Sequence, residues 1–530
     1  MATIIVDKKR VLHVEGVPSS EKDPTQIPTS KVNRQGIVLV PQPSDDPQDP
    51  LNWSTAYKVL MLGILCLGAF SATCSAVANS SGFVAQAKVY HKTPIEISYS
   101  VSAGTAGVAA GPLLWLPITH KTGRVAGIFW GMALACGCTV WSALMTAHDD
   151  YNSFVVSRLM TCLFASVGTT TGSSFILEMF YLHQRGRAFA AYSIIMLSGT
   201  TIGPTFSGFI VQGASWTVQF WYLVALHGVV AILAFFFLYE TGYTRPGGEE
   251  YPRQPRDFWA NRLATLFGRR SVVANRTWKE MASLGWSQIR IFLLPVTLIF
   301  GGFQLVIFGW AVAFQALLAV FLQTPVGYGG YGFSPGRNAA CWFTVAVCLV
   351  YGHSVGDRLS FYIARRYHKG IWKPEHRLHS LWIPLVVIPI GLGLIAASLQ
   401  YHLHYMVLAL GSFVFVFGVI STAPVSANYL VECFTKHSVE TTAVVNFYRL
   451  ILGLTVPFYV EDWEKAVHGP GWVFGMMALF TVAYTPLLLV LVLRGSSIRR
   501  LSAKLSTGLV STEEGMSIAQ GAATQTQGAH

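Results

Sequence analysis

A chain of 530 residues that is 52% hydrophobic and only 12% charged, with mean hydropathy +0.47, carries about half the charge of a soluble protein. The formal net charge is +12, but the basic residues gather in short stretches between apolar runs, which points to membrane-protein loops rather than to nucleic-acid binding. The eight cysteines lie in or beside apolar runs and show neither zinc-site spacing nor a disulfide framework.

In chain order, residues 1–56 are polar and Pro-rich without a signal-peptide pattern, and are expected to form a disordered cytoplasmic tail. Spans of roughly 20 apolar residues are needed to cross a bilayer. Six are expected near 57–79, 95–118, 125–146, 152–177, 187–211 and 216–239, forming a first half over 57–239. Residues 240–290 form a basic linker, within which 257–270 reads either as a helix on the inner leaflet or as a solvated connection. Six more spans, near 291–321, 335–357, 379–400, 403–427, 439–460 and 470–493, form a second half over 291–494. A polar tail, 495–530, follows. The run 291–321 exceeds one straight crossing and is expected to tilt or protrude. The fold class is therefore an all-α membrane protein of twelve transmembrane helices in two six-helix halves. With the N-terminus inside, the outer loops hold only Lys88, Lys92, Arg337 and Lys465 of the 37 Lys and Arg, so both termini are expected in the cytoplasm.

A charge at the bilayer centre costs about 2.5–3.5 kcal/mol on insertion scales, so charges inside spans mark chemistry. Arg158 in the fourth span has Thr161, Ala165, Gly168 and Gly172 at helical spacing, a small and partly polar face turned inward. It reads either as a cation facing a cavity or partner or as a structural arginine bonded to backbone carbonyls. Arg449 in the eleventh span shares a face with Thr442, Asn446 and Gly453 and reads either as a second cavity-facing cation or as an inter-helix hydrogen-bond anchor. Gln304 and Gln315 in the seventh span and Asn428 near the end of the tenth are further cavity candidates. No Asp or Glu stands in mid-span; Glu96, Glu178 and Glu440 sit at helix ends and are the carboxylates available to carry a proton. Two arginines without a buried acid suit neutral or anionic cargo rather than strong cations. In the fifth span, GTTIGPTFSG (199–208) spaces Gly199, Gly203 and Gly208 so that a neighbouring helix can approach, and Pro204 bends the helix. The His-rich stretches 367–379 and 401–405 lack metal-ligand spacing, and no nucleotide-binding loop is present. Neither an enzyme, an ATP-driven pump, a metal nor another cofactor is expected.

DPQDPLNWS (46–54), GPLLWLPITHKTGR (111–124), GTTIGPTFSG, YGFSP (331–335), PEHRL (374–378) and the Glu440–Arg449 spacing follow one another in a specific order. In that order, over residues 46–495, the chain resembles the major facilitator superfamily and, within it, the twelve-span fungal drug:proton antiporters. The resemblance implies that 199–208 is an antiporter motif and that Arg158 belongs to a proton-coupling motif. It also implies that the loops carrying Gly111, His120, Gly123 and Arg124, and Asp357–Arg358, latch the halves on the cytoplasmic side. The first loop departs from the family pattern, with His120 in place of the usual acid and Val125 in place of a second base. Either the latch responds to pH through His120, or Lys121 and Arg124 simply hold the loop at the anionic leaflet. The expected function is proton-coupled efflux of small amphipathic molecules, a drug or secondary metabolite, by alternating access. Uptake of an organic anion and a non-transporting nutrient sensor are the alternatives. Expected partners are a small-molecule substrate, protons and the lipid bilayer, with no nucleic acid, for a monomer in the plasma membrane or the vacuole.

Overall fold

A computed structural model describes residues 2–7, 10–15, 41–244, 251–252, 254–255, 257–267, 277–323, 330–338, 374–434, 437–467 and 469–506. Eleven helices among them are long and apolar enough to cross a membrane. The eighth expected span, 335–357, lies outside the described residues beyond its first turn. The bundle is the all-α, two-half architecture that the span pattern dictates. Ahead of it, β1 (Ala2–Asp7) and β2 (Arg10–Glu15) pair antiparallel, with Ala2 opposite Glu15.

The DPQDPLNWS segment folds on itself before the first helix. The Asp49 carboxylate accepts from Leu51 N at 3.0 Å, and the Asn52 amide donates to the carbonyls of Ser44 and Asp46 at 2.8 and 2.9 Å. Lys58 then donates to the Leu51 carbonyl at 2.9 Å, and the Tyr181 hydroxyl donates to the same oxygen at 3.0 Å. This lead-in turn therefore ties the start of the first helix to the connection between the fourth and fifth crossings.

Helix α1 (Thr55–Val77) starts where the Ser54 side chain accepts from Tyr57 N, and a 3-10 turn over Ala78–Gly82 carries it into α2 (Phe83–Tyr90). A capping box between Thr93 and Glu96 begins α3 (Pro94–Thr122), which is followed by α4 (Arg124–Leu144). The segment 111–124, expected as a loop, is helical to Thr122. Pro112 and Pro117 sit inside α3, as membrane helices tolerate, and the chain turns only at Gly123, whose φ of 101° suits a residue without Cβ. The fourth crossing breaks into α5 (Tyr151–Ala165) and α6 (Val167–Met179) at Ser166, whose carbonyl receives both Thr169 N and Thr170 N. Helices α7 (Leu182–Gly213) and α8 (Val218–Phe237) complete the half. Helix α1 packs on α6 and α7, α3 on α5, and α4 on α8. A Cβ on Gly199 would lie 2.2 Å from Thr73 Oγ1 and 2.6 Å from the Phe70 carbonyl, so the glycine is what lets α7 reach α1.

Within the linker, α9 (Phe258–Phe267) falls inside the stretch 257–270 and is docked on the first half. The Trp130 indole donates to the Leu266 carbonyl at 3.0 Å, and Arg262 donates to the carbonyls of Phe236 and Leu238. Helix α10 (Trp278–Leu293) follows. The run 291–321 is not one helix: it is broken near its start, and the crossing helix that follows keeps 29 residues, still longer than a straight crossing needs. Pro295 disfavours helical backbone in the residue before it, Leu294 is extended (φ −70°, ψ 142°), and a new helix, α11 (Pro295–Gln323), makes the crossing. The second half continues through α12 (Trp382–Gln400), α13 (Tyr405–Cys433), α14 (Ser438–Ala466) and α15 (Pro470–Ser506). Helix α12 packs on α13 and α15, and α11 on α14 and α15. The halves meet along α3 and α14, where the rings of Tyr99 and Phe458 lie 4.7 Å apart, and where Gln323 donates to the Ser81 carbonyl at 3.4 Å. Large apolar side chains such as Ile232, Val386 and Leu479 remain exposed on the outside, as a bundle solvated by lipid requires.

Candidate functional site

Three polar clusters stand out against the apolar packing. The first surrounds Arg158, fully buried where α1, α5 and α8 converge. One guanidinium nitrogen, Nη2, donates to the Ser75 carbonyl, and the Phe220 ring lies 5.4 Å from the guanidinium carbon. The Ser75 hydroxyl is 2.8 Å from Nε2 of His227, which is also fully buried. The Tyr222 hydroxyl lies 3.2 Å from Cys74 Sγ and 3.5 Å from Ser207 Oγ. Buried here without a hydrogen-bond partner are Nε and Nη1 of Arg158, Oγ1 of Thr161 and Nδ1 of His227. Among the described residues no carboxylate forms an ion pair with Arg158. The cation is thus held by one carbonyl dipole and one aromatic face, with donors to spare. One turn along, Asn79 donates to Gln86 and Ser100 at 3.0 and 2.7 Å and accepts from Gln86 and Gln219 at 2.6 and 3.0 Å.

The second cluster lies on α11 and α14. Arg449 is buried, with its guanidinium carbon 4.6 Å from the Phe308 ring. One turn before Phe308, the Gln304 amide is buried and neither its nitrogen nor its oxygen has a partner. Gln315 and Asn446 are half-buried on the same two helices. Asn428 belongs to α13, and its side chain lies outside the described residues.

The third cluster sits at the linker end of the first half. Arg124 Nη1 and Thr241 Oγ1 both donate to Glu178 Oε2 at 2.5 Å. Beside them the Glu240 carboxylate accepts from Val125 N at 2.7 Å. Burial pushes the Glu240 carboxyl up to about 7, against the pull of the Val125 amide and the Arg124 charge. His120, at the end of α3, acts electrostatically across the halves on Glu440, whose Oε1 lies 3.5 Å from His437 Nδ1.

The remaining sequence candidates fall elsewhere. Glu96 closes the capping box of α3 and pairs with Lys92 at 3.2 Å, so it is engaged at a helix end rather than in the Arg158 cluster. Gly111, expected in a gating loop, is inside α3, where a Cβ would strike Ser166 Oγ. Gly203, Pro204 and Gly208 lie on α7, with a Gly203 Cβ position 3.0 Å from Cys74 Sγ and the Pro204 carbonyl accepting from Ser81 Oγ at 2.8 Å. Asp357 and Arg358 lie outside the described residues. Sequence reading missed His227, Ser75, Cys74, Tyr222 and the role of Glu240. Only His227 carried a signal, as a lone ionisable residue inside VQFWYLVALHGVV (218–230).

The model of the Major Facilitator Superfamily matches residues 62–457. The efflux pump radE of Floropilus chiversii is 27% identical over 448 residues, covering 83% of this chain and 80% of that protein. The MFS-type efflux pump MFS2 of Trichophyton rubrum is 26% identical over 468 residues, covering 86% and 75%. Among solved structures, the xylose transporter XylE from E. coli, in a partially occluded inward-open conformation, superposes with a TM-score of 0.58 at 13% identity. That superposition covers 82% of this chain and 97% of XylE.

Proposed function

Because the chain belongs to the Major Facilitator Superfamily, we propose that it exports small amphipathic organic molecules, drugs or secondary metabolites, in exchange for protons. The halves alternate access to a site between them, with both termini in the cytoplasm of a plasma-membrane or vacuolar protein. The observation that carries this reading is the Arg158 cluster: a buried cation with unpartnered donors, placed where three helices of one half converge. Relatives named as efflux pumps support the direction, and the α7 glycine segment is consistent with it. The α11–α14 surface, with Gln304, Phe308 and Arg449, supplies an apolar and weakly polar face for cargo. Uptake of an organic anion is a second reading, favoured by the absence of an acid paired with Arg158 among the described residues.

The test compares cells with and without the protein for retention of Nile red, fluorescein and endogenous small metabolites, with and without a protonophore. Efflux that needs both the protein and the proton gradient is the expected result. Protein-dependent accumulation reverses the direction. No protein-dependent movement of any compound rejects transport.

A further inference from the structure

The family-type Arg158 is not the group in its cluster that changes charge at physiological pH, because a guanidinium stays protonated. An imidazole in water is the side chain that titrates near neutrality, and the geometry places His227 in the same hydrogen-bonded unit. The link is Ser75, whose carbonyl accepts from Arg158 and whose hydroxyl meets His227 Nε2 at 2.8 Å. The other ring nitrogen, Nδ1, is buried without a partner. Among the described residues, the other titratable groups facing this site are Cys74 from α1, Arg158 and Cys162 from α5, Tyr222 on α8 itself and Cys136 from α4, with no carboxylate among them. We propose that His227 is the proton-exchanging residue of this transporter and that Arg158 reads its charge. This rests on the proton-coupled reading above.

The step is a proton transfer alone. In the tautomer whose Nε2–H donates to Ser75 Oγ, Nδ1 presents a lone pair. A proton arriving there makes an imidazolium while every other bond is kept. The cluster then holds two cations and no acid, in surroundings that screen poorly. That repulsion disfavours the packed arrangement of α1, α5 and α8 and favours a state in which Arg158 turns its spare donors to water or cargo. Both residues are fully buried here, so the proton is exchanged in the other states of the cycle. Coupling arises because protonation shifts which state is populated.

The experiment uses the full-length protein in proteoliposomes loaded with fluorescein or Nile red, with pyranine as proton reporter. It compares wild type, His227→Gln and His227→Asn, which keep a hydrogen-bonding amide near Ser75 but do not titrate. Each is measured for gradient-driven efflux across pH and for dye counterflow without a gradient. The expected result is that both variants keep counterflow while gradient-driven efflux and accompanying proton movement fall about tenfold or more, with the pH dependence flattened. Gradient-driven efflux with an unchanged pH profile in the variants, beside a coupled wild type, overturns the role of His227 alone. Loss of counterflow in both variants, with folded protein recovered, assigns the imidazole to packing and also overturns it. No gradient-dependent efflux of either dye by the wild type instead rejects the proton-coupled reading, and this inference falls with it.

Discussion

The two halves of the bundle bury different chemistry. In the first, Ser75, Asn79, Gln86, Arg158, Gln219 and His227 are all buried, and hydrogen bonds between side chains cross from helix to helix. In the second, Phe300, Phe303, Phe314, Phe415 and Tyr429 pack edge to face and tilted in the described core; of its buried arginines, Arg449 rests on a phenyl ring, while Arg499, near the end of α15, pairs with Glu375. Hydrogen bonds are directional and a change of protonation breaks them, whereas apolar packing is non-directional and insensitive to pH. The contrast therefore divides the work. On the function proposed above, the first half would supply the groups that switch and the second the face on which amphipathic cargo rests.

The largest expected effect tests that division directly. Arg158→Gln should lower gradient-driven efflux by about 5- to 150-fold, the range of a coupling energy of about 1–3 kcal/mol. Arg449→Gln should lower it clearly less. Initial efflux rates with and without protonophore check this, and equal losses would make the halves equivalent.

Asn79→Leu should destabilise the first half by about 1–3 kcal/mol for each amide left without its partner at Gln86 and Gln219. Gln304→Leu should be neutral or stabilising, because that buried amide has no partner to lose. Thermal unfolding in nanodiscs measures both.

Helix spacing gives a matched pair as well. Gly199→Ala places a Cβ against Thr73 and the Phe70 carbonyl and should cost about 1–3 kcal/mol. In the second half Gly393 has nothing within 4 Å of its Cβ position, so Gly393→Ala should leave the melting temperature unchanged or raise it slightly.

The smallest effect concerns pH. Burial raises the Glu240 carboxyl to about 7, so the folded protein binds this proton more tightly than the unfolded chain does. The sign follows: stability is greatest at acidic pH and falls as pH rises through the folded value. The loss should be about 1 kcal/mol between about pH 6 and pH 8. Glu240→Gln should flatten this slope, as melting temperatures across that interval would report.

Much of the architecture was legible from spacing alone. The apolar runs located eleven described crossings, GTTIGPTFSG marked the helix that α1 approaches, and 257–270 contained α9. The errors came where one local rule met another. The apolar run 291–321 reads as one helix, but Pro295 breaks it four residues in and a 29-residue helix follows. The resemblance places 111–124 in a loop although the second span is itself expected to run to 118; backbone groups in a membrane protein must be satisfied, and the helix carries on to Thr122.

The sequence by itself determined that lipid is the solvent, where the eleven described crossings lie and which charges stand inside them, because a backbone in a bilayer is satisfied only in helices or closed barrels and these apolar runs have helix length. It could also pick out Arg158, since a lone charge in an apolar run is visible without coordinates. Tertiary structure alone decided what that arginine meets. Ser75, His227 and Phe220 lie 83, 69 and 62 positions from it in the chain. Hydrogen bonds reach about 3 Å, and which helix faces come within that distance is set by packing, through contacts such as those at Gly199, that periodicity along one strand of sequence does not encode.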